Sequence, residues 1–376
     1  MKKLRIVFLI TGLHGGGAET MLFHMLRLMD RERFEPIVIS MMDRGKFGDL
    51  IEKLGIEVHT VGLKPGQVTP AAGWRIVKLL RQAKPDVIQG WMYHANLAAL
   101  LANVFVRVPV CWCIQSSFLS FAAEKPLTRL AIRVTARMSR RAAKVVFVSH
   151  VSRTQHEQLG FAHDRGCVIP NGVDPGLFKP SDEARRSVRE ELGISPDTLL
   201  VGLFCRYHQQ KDHPTFIRAA AIIARKWPDV RFLLAGSNVD GKNEAMGELI
   251  RSLDLGSRMH LLGERNDMPR LNAALDIATS SSSYGEALAL ALAEAMACEV
   301  PCVVTDVGDS AILVGETGVV VPPSNPEAFA EGISRLIEAG PQQRRKLGMA
   351  ARARAEEGYS IPNIIRSYEA MYLTLK

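Results

Sequence analysis

Arg5-Ile6-Val7-Phe8-Leu9-Ile10-Thr11-Gly12-Leu13-His14-Gly15-Gly16-Gly17-Ala18-Glu19-Thr20 begins as an apolar run, meets a glycine-rich turn and leaves it as a helical pattern. The apolar part is short and no small-residue cleavage site follows it. It therefore reads as a buried first strand rather than a signal peptide. Strand, tight turn and helix form the basic unit of an α/β fold, and the chain repeats that unit.

Working outward, the first half alternates expected strands at 5–11, 36–41, 58–61, 86–91, 108–114 and 144–149 with amphipathic helices such as 19–29 and 74–82. The alternation pauses at Pro170-Asn171-Gly172-Val173-Asp174-Pro175-Gly176, which is dense in turn residues. It restarts with strands at 199–204, 231–235, 259–262, 276–279, 300–305 and 318–321. A final helical stretch covers 341–375, broken near Gly358 and Pro362. Short connections between strand and helix imply parallel, doubly wound sheets. The expected architecture is two Rossmann-like domains facing across a cleft: residues 1–172, then 173–359, with a helix at 360–376 packing back on the first.

A chain of 376 residues suits two domains better than one core. Its 47% hydrophobic and 23% charged content is that of an ordinary globular protein, and no apolar stretch reaches the ~18–20 residues of a membrane-spanning helix. The six cysteines, Cys111, Cys113, Cys167, Cys205, Cys298 and Cys302, form no disulfide or zinc pattern, so reduced thiols in the cytoplasm are the default. The net charge of +8 is uneven. Residues 1–170 carry 24 Lys+Arg against 12 Asp+Glu, residues 171–376 carry 23 against 27, and the two halves are expected to meet different partners.

Three stretches carry chemistry. Gly15, Gly16 and Gly17, between strand and helix, let backbone N–H groups approach an anion at a helix N-terminus; the competing reading is a turn needed only for packing. The pattern is not G-x-G-x-x-G, which argues against a dinucleotide. Next, Arg206 and Lys211 follow the first strand of the second domain, where two cations suit a diphosphate clamp or are simply solvated. Finally, Glu286 and Glu294 flank Ala287-Leu288-Ala289-Leu290-Ala291-Leu292-Ala293. Ala and Leu favour helix over 287–297, which would set one carboxylate before the first turn and the other two turns on. Such carboxylates accept hydrogen bonds from hydroxyl pairs, and the amide groups between them suit a phosphate.

Together with Val168-Ile169-Pro170-Asn171-Gly172-Val173-Asp174, Glu294-Ala295-Met296-Ala297-Cys298 and Thr317-Gly318-Val319-Val320-Val321-Pro322-Pro323, these stretches stand in the order that resembles the GT-B-fold, family 4-type retaining glycosyltransferases. The likeness runs along essentially the whole chain. It implies a metal-independent enzyme with no cofactor, which moves a sugar from a nucleotide-diphosphate donor, UDP-sugar foremost, to a glycan or lipid-linked acceptor in cell-surface polysaccharide or lipopolysaccharide synthesis. Arg206 and Lys211 would hold the pyrophosphate, Glu294 the ribose hydroxyls and Glu286 the sugar. Leu288, Ala289, Leu290, Gly16 and Gly17 would line the donor site.

Two departures stand out. Ala287-Leu288-Ala289 replaces the glycine-containing triplet common after the first glutamate, and Cys113-Ile114-Gln115-Ser116-Ser117 lacks a histidine that many relatives carry there. His94 and Gln115 are the acceptor-side candidates. The rivals are a sugar epimerase of the same fold and a silent nucleotide-sugar or glycan-binding partner. A basic helix at 125–144, with Lys125, Arg129, Arg133, Arg137, Arg140, Arg141 and Lys144 beside Leu127, Leu130, Val134 and Met138, fits an anionic membrane surface and peripheral attachment at its inner face; a solvated outer face is the alternative. Nucleic acid is not expected, because no aromatics interleave with the cations.

Overall fold

The computed structural model describes residues 2–64, 67, 69–118, 121 and 126–375. The chain divides into two compact units, Met1–Asn171 with Ile361–Lys376, and Gly172–Ser360.

The first unit holds a seven-stranded sheet built from β1 (Leu4–Ile10), β2 (Phe34–Ser40), β3 (Val58–Thr60), β4 (Val87–Trp91), β5 (Val110–Ile114), β6 (Lys144–Phe147) and β7 (Gly166–Val168), in the order β3-β2-β1-β4-β5-β6-β7. Every pairing in it is parallel. All of β4 and β5 is buried, which is why these strands read as continuous apolar runs: helices cover both faces. On one face Met21, Leu22 and Met25 of the helix Gly17–Leu28 share a core with Tyr368 and Tyr372 of the helix Ile361–Leu373. On the other, the helices Pro70–Ala83, Tyr93–Ala102 and Pro126–Met138 pack on Val7, Leu9, Ile88, Trp112 and Phe147.

The second unit repeats the plan in six parallel strands, β8 (Leu200–Phe204), β9 (Arg231–Ala235), β10 (Met259–Leu261), β11 (Ile277–Ser280), β12 (Cys302–Thr305) and β13 (Val319–Val321), ordered β10-β9-β8-β11-β12-β13. The order reverses between β8 and β11, the position where doubly wound sheets open a crevice at their carboxyl ends. Where the chain enters and leaves this unit, the Val173 N–H donates to the Tyr359 carbonyl (2.8 Å), and Ser360 breaks the helical run with an extended backbone (φ −71°, ψ 137°).

The expected strands all form; β7, three half-buried residues at a sheet edge, is the one the pattern misses. Two helices differ from expectation. The helix expected over 287–297 starts only at Leu290 and runs to Ala297. Gly285 turns the chain (φ 65°), and the Asp309 N–H donates to the Ala287 carbonyl (3.1 Å), so Ala287-Leu288-Ala289 stays a loop held against the turn after β12. The basic stretch 125–144 is not one helix either. It ends at Met138, continues as a 3-10 turn over Ser139–Arg141, and Lys144 opens β6. Its buried side is Ala131, Ile132, Thr135 and Ala136, whereas Leu130 is exposed. Lys125 and the side chain of Leu127 lie outside the described residues.

Candidate active site

In the second unit the loops after β8 and β11 are sewn together. The Ser281 Oγ donates to the Lys211 carbonyl (2.7 Å), and the Ser283 N–H to the Gln210 carbonyl (2.8 Å). Thr305 at the end of β12 donates in turn to the Ser282 carbonyl (2.6 Å). These bonds fix the Lys211 ammonium against Glu286, with which it forms an ion pair, while the Ser282 Oγ donates to the same carboxylate oxygen (3.0 Å). Both side chains are largely withdrawn from water, at 18% and 10% exposure, so removing either partner would leave the other charge poorly solvated, which costs more than breaking a surface ion pair. Gly308 (φ 63°) is the backbone condition for it: a Cβ there would collide with the Glu286 carbonyl oxygen.

Beneath Lys211 the loop rests on His213, fully buried, whose Nε2 lies 3.7 Å from the Cys205 Sγ. Burial first, and then the Lys211 charge, push His213 down to about 4, so it is neutral at physiological pH. Burial likewise lifts the Cys205 thiol to about 12, which excludes it as a nucleophile.

A small cavity brings together Lys211, Ser282, Glu286, Ala289 and Leu290. Arg206, Leu288 and Glu294 do not line it. Arg206 is exposed on the loop after β8, with no carboxylate partner among the described residues. Glu294 lies one turn along the helix from Leu290, on the same face. Burial alone raises its carboxyl to about 7, and no hydrogen bond to its side chain is made among the described residues. Roomier hollows, such as the one between Ser181, Arg185, Asp276 and Arg344, open at the amino-terminal ends of β11 and β12, at the opposite end of the strands from Lys211 and Glu286.

In the first unit the glycine-rich loop joins β1 to the helix Gly17–Leu28, with Gly16 as its extended cap. His14 Nε2 stands 3.1 Å from Asp43, and Trp91 at the end of β4 donates to the Ala18 carbonyl (3.2 Å). His94 is exposed on the first turn of the helix after β4, whose cap, Met92, adopts a left-handed backbone (φ 77°). Gln115 is turned inward: its carbonyl accepts from Asn171 Nδ2 (3.0 Å) and its amide donates to Cys113 Sγ (3.0 Å). Beside it Tyr93, Ser116 and the buried His156 form a chain, with Tyr93 Oη 2.6 Å from His156 Nε2 and 3.2 Å from Ser116 Oγ.

Sequence reasoning missed Ser281, Ser282, Thr305 and Gly308. The serine run at 280–283 was the available signal; nothing in the sequence announced Gly308.

Fold and site together define a protein of two doubly wound α/β units, with a buried cation–carboxylate pair at the switch point of the second. Residues 195–339 match the family described as glycosyl transferases group 1, and residues 15–177 match glycosyltransferase family 4. EpsF of Bacillus subtilis is 27% identical over 354 residues, covering 90% of this chain and 89% of that one. The Escherichia coli UDP-Gal:alpha-D-GlcNAc-diphosphoundecaprenol alpha-1,3-galactosyltransferase is 24% identical over 274 residues, 70% of this chain and 69% of that one. Among solved structures, Anabaena HepE in complex with UDP superposes with a TM-score of 0.87 at 26% identity, over 99% of this chain and 100% of that one. HepE has also been crystallised with UDP-glucose. The chain belongs to the group 1 glycosyltransferases of the GT-B type.

Proposed function

We propose that this glycosyltransferase takes its sugar from a nucleotide-diphosphate donor, UDP-sugar foremost, and transfers it with retention of configuration to a lipid-linked or glycan acceptor. The observation that carries the reading is Glu294: a half-buried carboxylate one turn into its helix, with no hydrogen-bond donor to it among the described residues, which two ribose hydroxyls would satisfy. The similar HepE structures, which hold UDP and UDP-glucose, favour the same donor class.

In this scheme the Lys211 ammonium, with three donors, keeps Glu286 and still reaches a phosphate oxygen, and Arg206 forks across the pyrophosphate. Glu286 accepts from the sugar hydroxyls. As the bond from the anomeric carbon to phosphate breaks, the acceptor oxygen bonds that carbon on the same face and its proton passes to the departing phosphate. Arg206 and Lys211 stabilise the charge that develops there, without a metal ion. The E. coli relative acts on a diphosphoundecaprenol-linked sugar, which supports a lipid-linked acceptor in surface polysaccharide or lipopolysaccharide synthesis and attachment at the inner face of the membrane.

Ala287-Leu288-Ala289, where glycines are common, is the feature that favours a silent nucleotide-sugar-binding partner instead. Slow hydrolysis across a panel of nucleotide sugars separates the two. The transferase hydrolyses one donor class, and Lys211→Ala abolishes it. Binding without hydrolysis across the panel would leave the silent partner.

A further inference from the structure

The helices Pro70–Ala83, Tyr93–Ala102 and Pro126–Met138 cover one face of the first unit's sheet, and their outer surface is unusual in two respects. It is apolar where it meets water: Trp74 is 61% exposed, Leu101 53%, Val104 66% and Leu130 58%. The Trp74 ring packs on Phe105 with centroids 5.2 Å apart, and the Arg81 guanidinium lies over the Phe105 ring, 5.7 Å from its centroid. The same surface is also cationic on its two flanking helices. None of the three helices contains an Asp or Glu, and residues 61–143 as a whole hold twelve Lys+Arg against two Asp+Glu. One of those two acids, Asp86, is taken up by the backbone of Arg5 (2.8 Å) and by Lys2 (3.5 Å).

Sequence spacing arranges the two properties. Trp74, Lys78 and Arg81 fall at i, i+4 and i+7 on one outer stripe, and Leu130, Arg133 and Arg137 at i, i+3 and i+7 on another. Between them runs the end of the middle helix with Leu101, Val104 and Phe105. An apolar spine is thus flanked by two basic stripes.

We propose that this three-helix surface docks the protein on an anionic lipid bilayer, with Trp74, Val104 and Phe105 entering the headgroup boundary and Lys78, Arg81, Arg133 and Arg137 meeting the lipid charges. The chemistry is that of interfacial binding, where apolar side chains enter and cations add attraction in parallel. A soluble anionic glycan would satisfy the cations and leave Leu101, Val104 and Leu130 in water, so the bilayer is the better match. The inference rests on the proposed function only in that a lipid-linked acceptor lies at such a surface.

The full chain should co-sediment with phosphatidylcholine vesicles only when they contain phosphatidylglycerol, and less so as salt is raised. Lys78→Glu with Arg81→Glu should lower the partition by at least about fivefold for each cation lost, and Trp74→Ser should lower it at unchanged charge. In a Trp227→Phe chain, lipids brominated in their acyl chains should quench fluorescence, and Trp74→Phe should remove that quenching, because Trp91 and Trp112 are fully buried. Donor hydrolysis measured without vesicles should be the same in all variants, so a chain that docks but hydrolyses nothing fails the functional reading and not this one. Vesicle binding that ignores phosphatidylglycerol, or that survives both sets of substitutions, overturns the proposal. Binding to dextran sulfate but to no vesicle would overturn it in favour of a glycan.

Discussion

Glu294→Gln replaces a half-buried carboxyl by an amide of nearly the same shape, and its effect on stability can be worked out from the structure. Desolvation pushes the folded carboxyl up to about 7 from an ordinary 4.5. Below about 4.5 it is protonated in folded and unfolded chains alike, and burial exacts no electrostatic cost. As pH rises toward 7 the unfolded chain ionises and the folded one does not, so stability falls by ~1.4 kcal/mol per pH unit, about 3 kcal/mol in all, and stays at that lower level above 7. The glutamine variant lacks this loss. Denaturant unfolding of the nucleotide-free protein should therefore show the variant gaining about 3 kcal/mol on the parent between pH 4.5 and 8. His213 and His156, both held near 4 by burial, lose stability as pH falls from 6.5 toward 4, but they are common to both chains and cancel in the difference. The same substitution should weaken nucleoside-diphosphate binding about tenfold or more by calorimetry at pH 8, since hydrogen bonds to a charged acceptor contribute ~1.5–3 kcal/mol. A parent–variant difference independent of pH would refute the burial argument. Unchanged affinity would refute the ribose role.

Lys211→Ala should cut donor turnover by at least about 100-fold and, because Glu286 keeps only Ser282, lower stability by ~1–3 kcal/mol in thermal unfolding. A variant with wild-type turnover excludes the clamp. Arg206→Ala, at an exposed position, should lose turnover while its melting temperature stays within a degree or so of the parent. Gly308→Ala combines a left-handed backbone with a collision at the Glu286 carbonyl, so it should both destabilise the second unit and reduce donor hydrolysis. Retention of both would show that the loop around Glu286 relaxes freely.

The fold was legible because fully buried parallel strands are nearly pure apolar runs, as in β4, β5 and β8, and their spacing with helices leaves few topologies. β7 escaped because three residues at an edge carry no period. The site was legible at its charged residues, and its scaffolding was not. Ala and Leu propensities argue for helix from Ala287, and a tertiary contact from Asp309 overrides them for three residues. Gln115, polar and at a strand's carboxyl end, looked available for an acceptor; its amide is occupied by Asn171 and Cys113, partners that no local pattern discloses.

The first unit is closed by residues from both ends of the chain. Tyr368 and Tyr372, fully buried, share a core with Phe8, Phe34 and Trp91, laid down more than 270 residues earlier. During synthesis β1 to β7 emerge first but lack that packing until the final helix has left the ribosome, whereas Gly172–Ser360 is one uninterrupted stretch. The usual order of birth and maturation is thus inverted: the second unit can complete itself while the first still waits for its last helix. A chain cut short by a dozen residues would lose Tyr368 and Tyr372 and expose the side of the first unit's sheet that they cover, leaving the proposed donor residues of the second unit untouched.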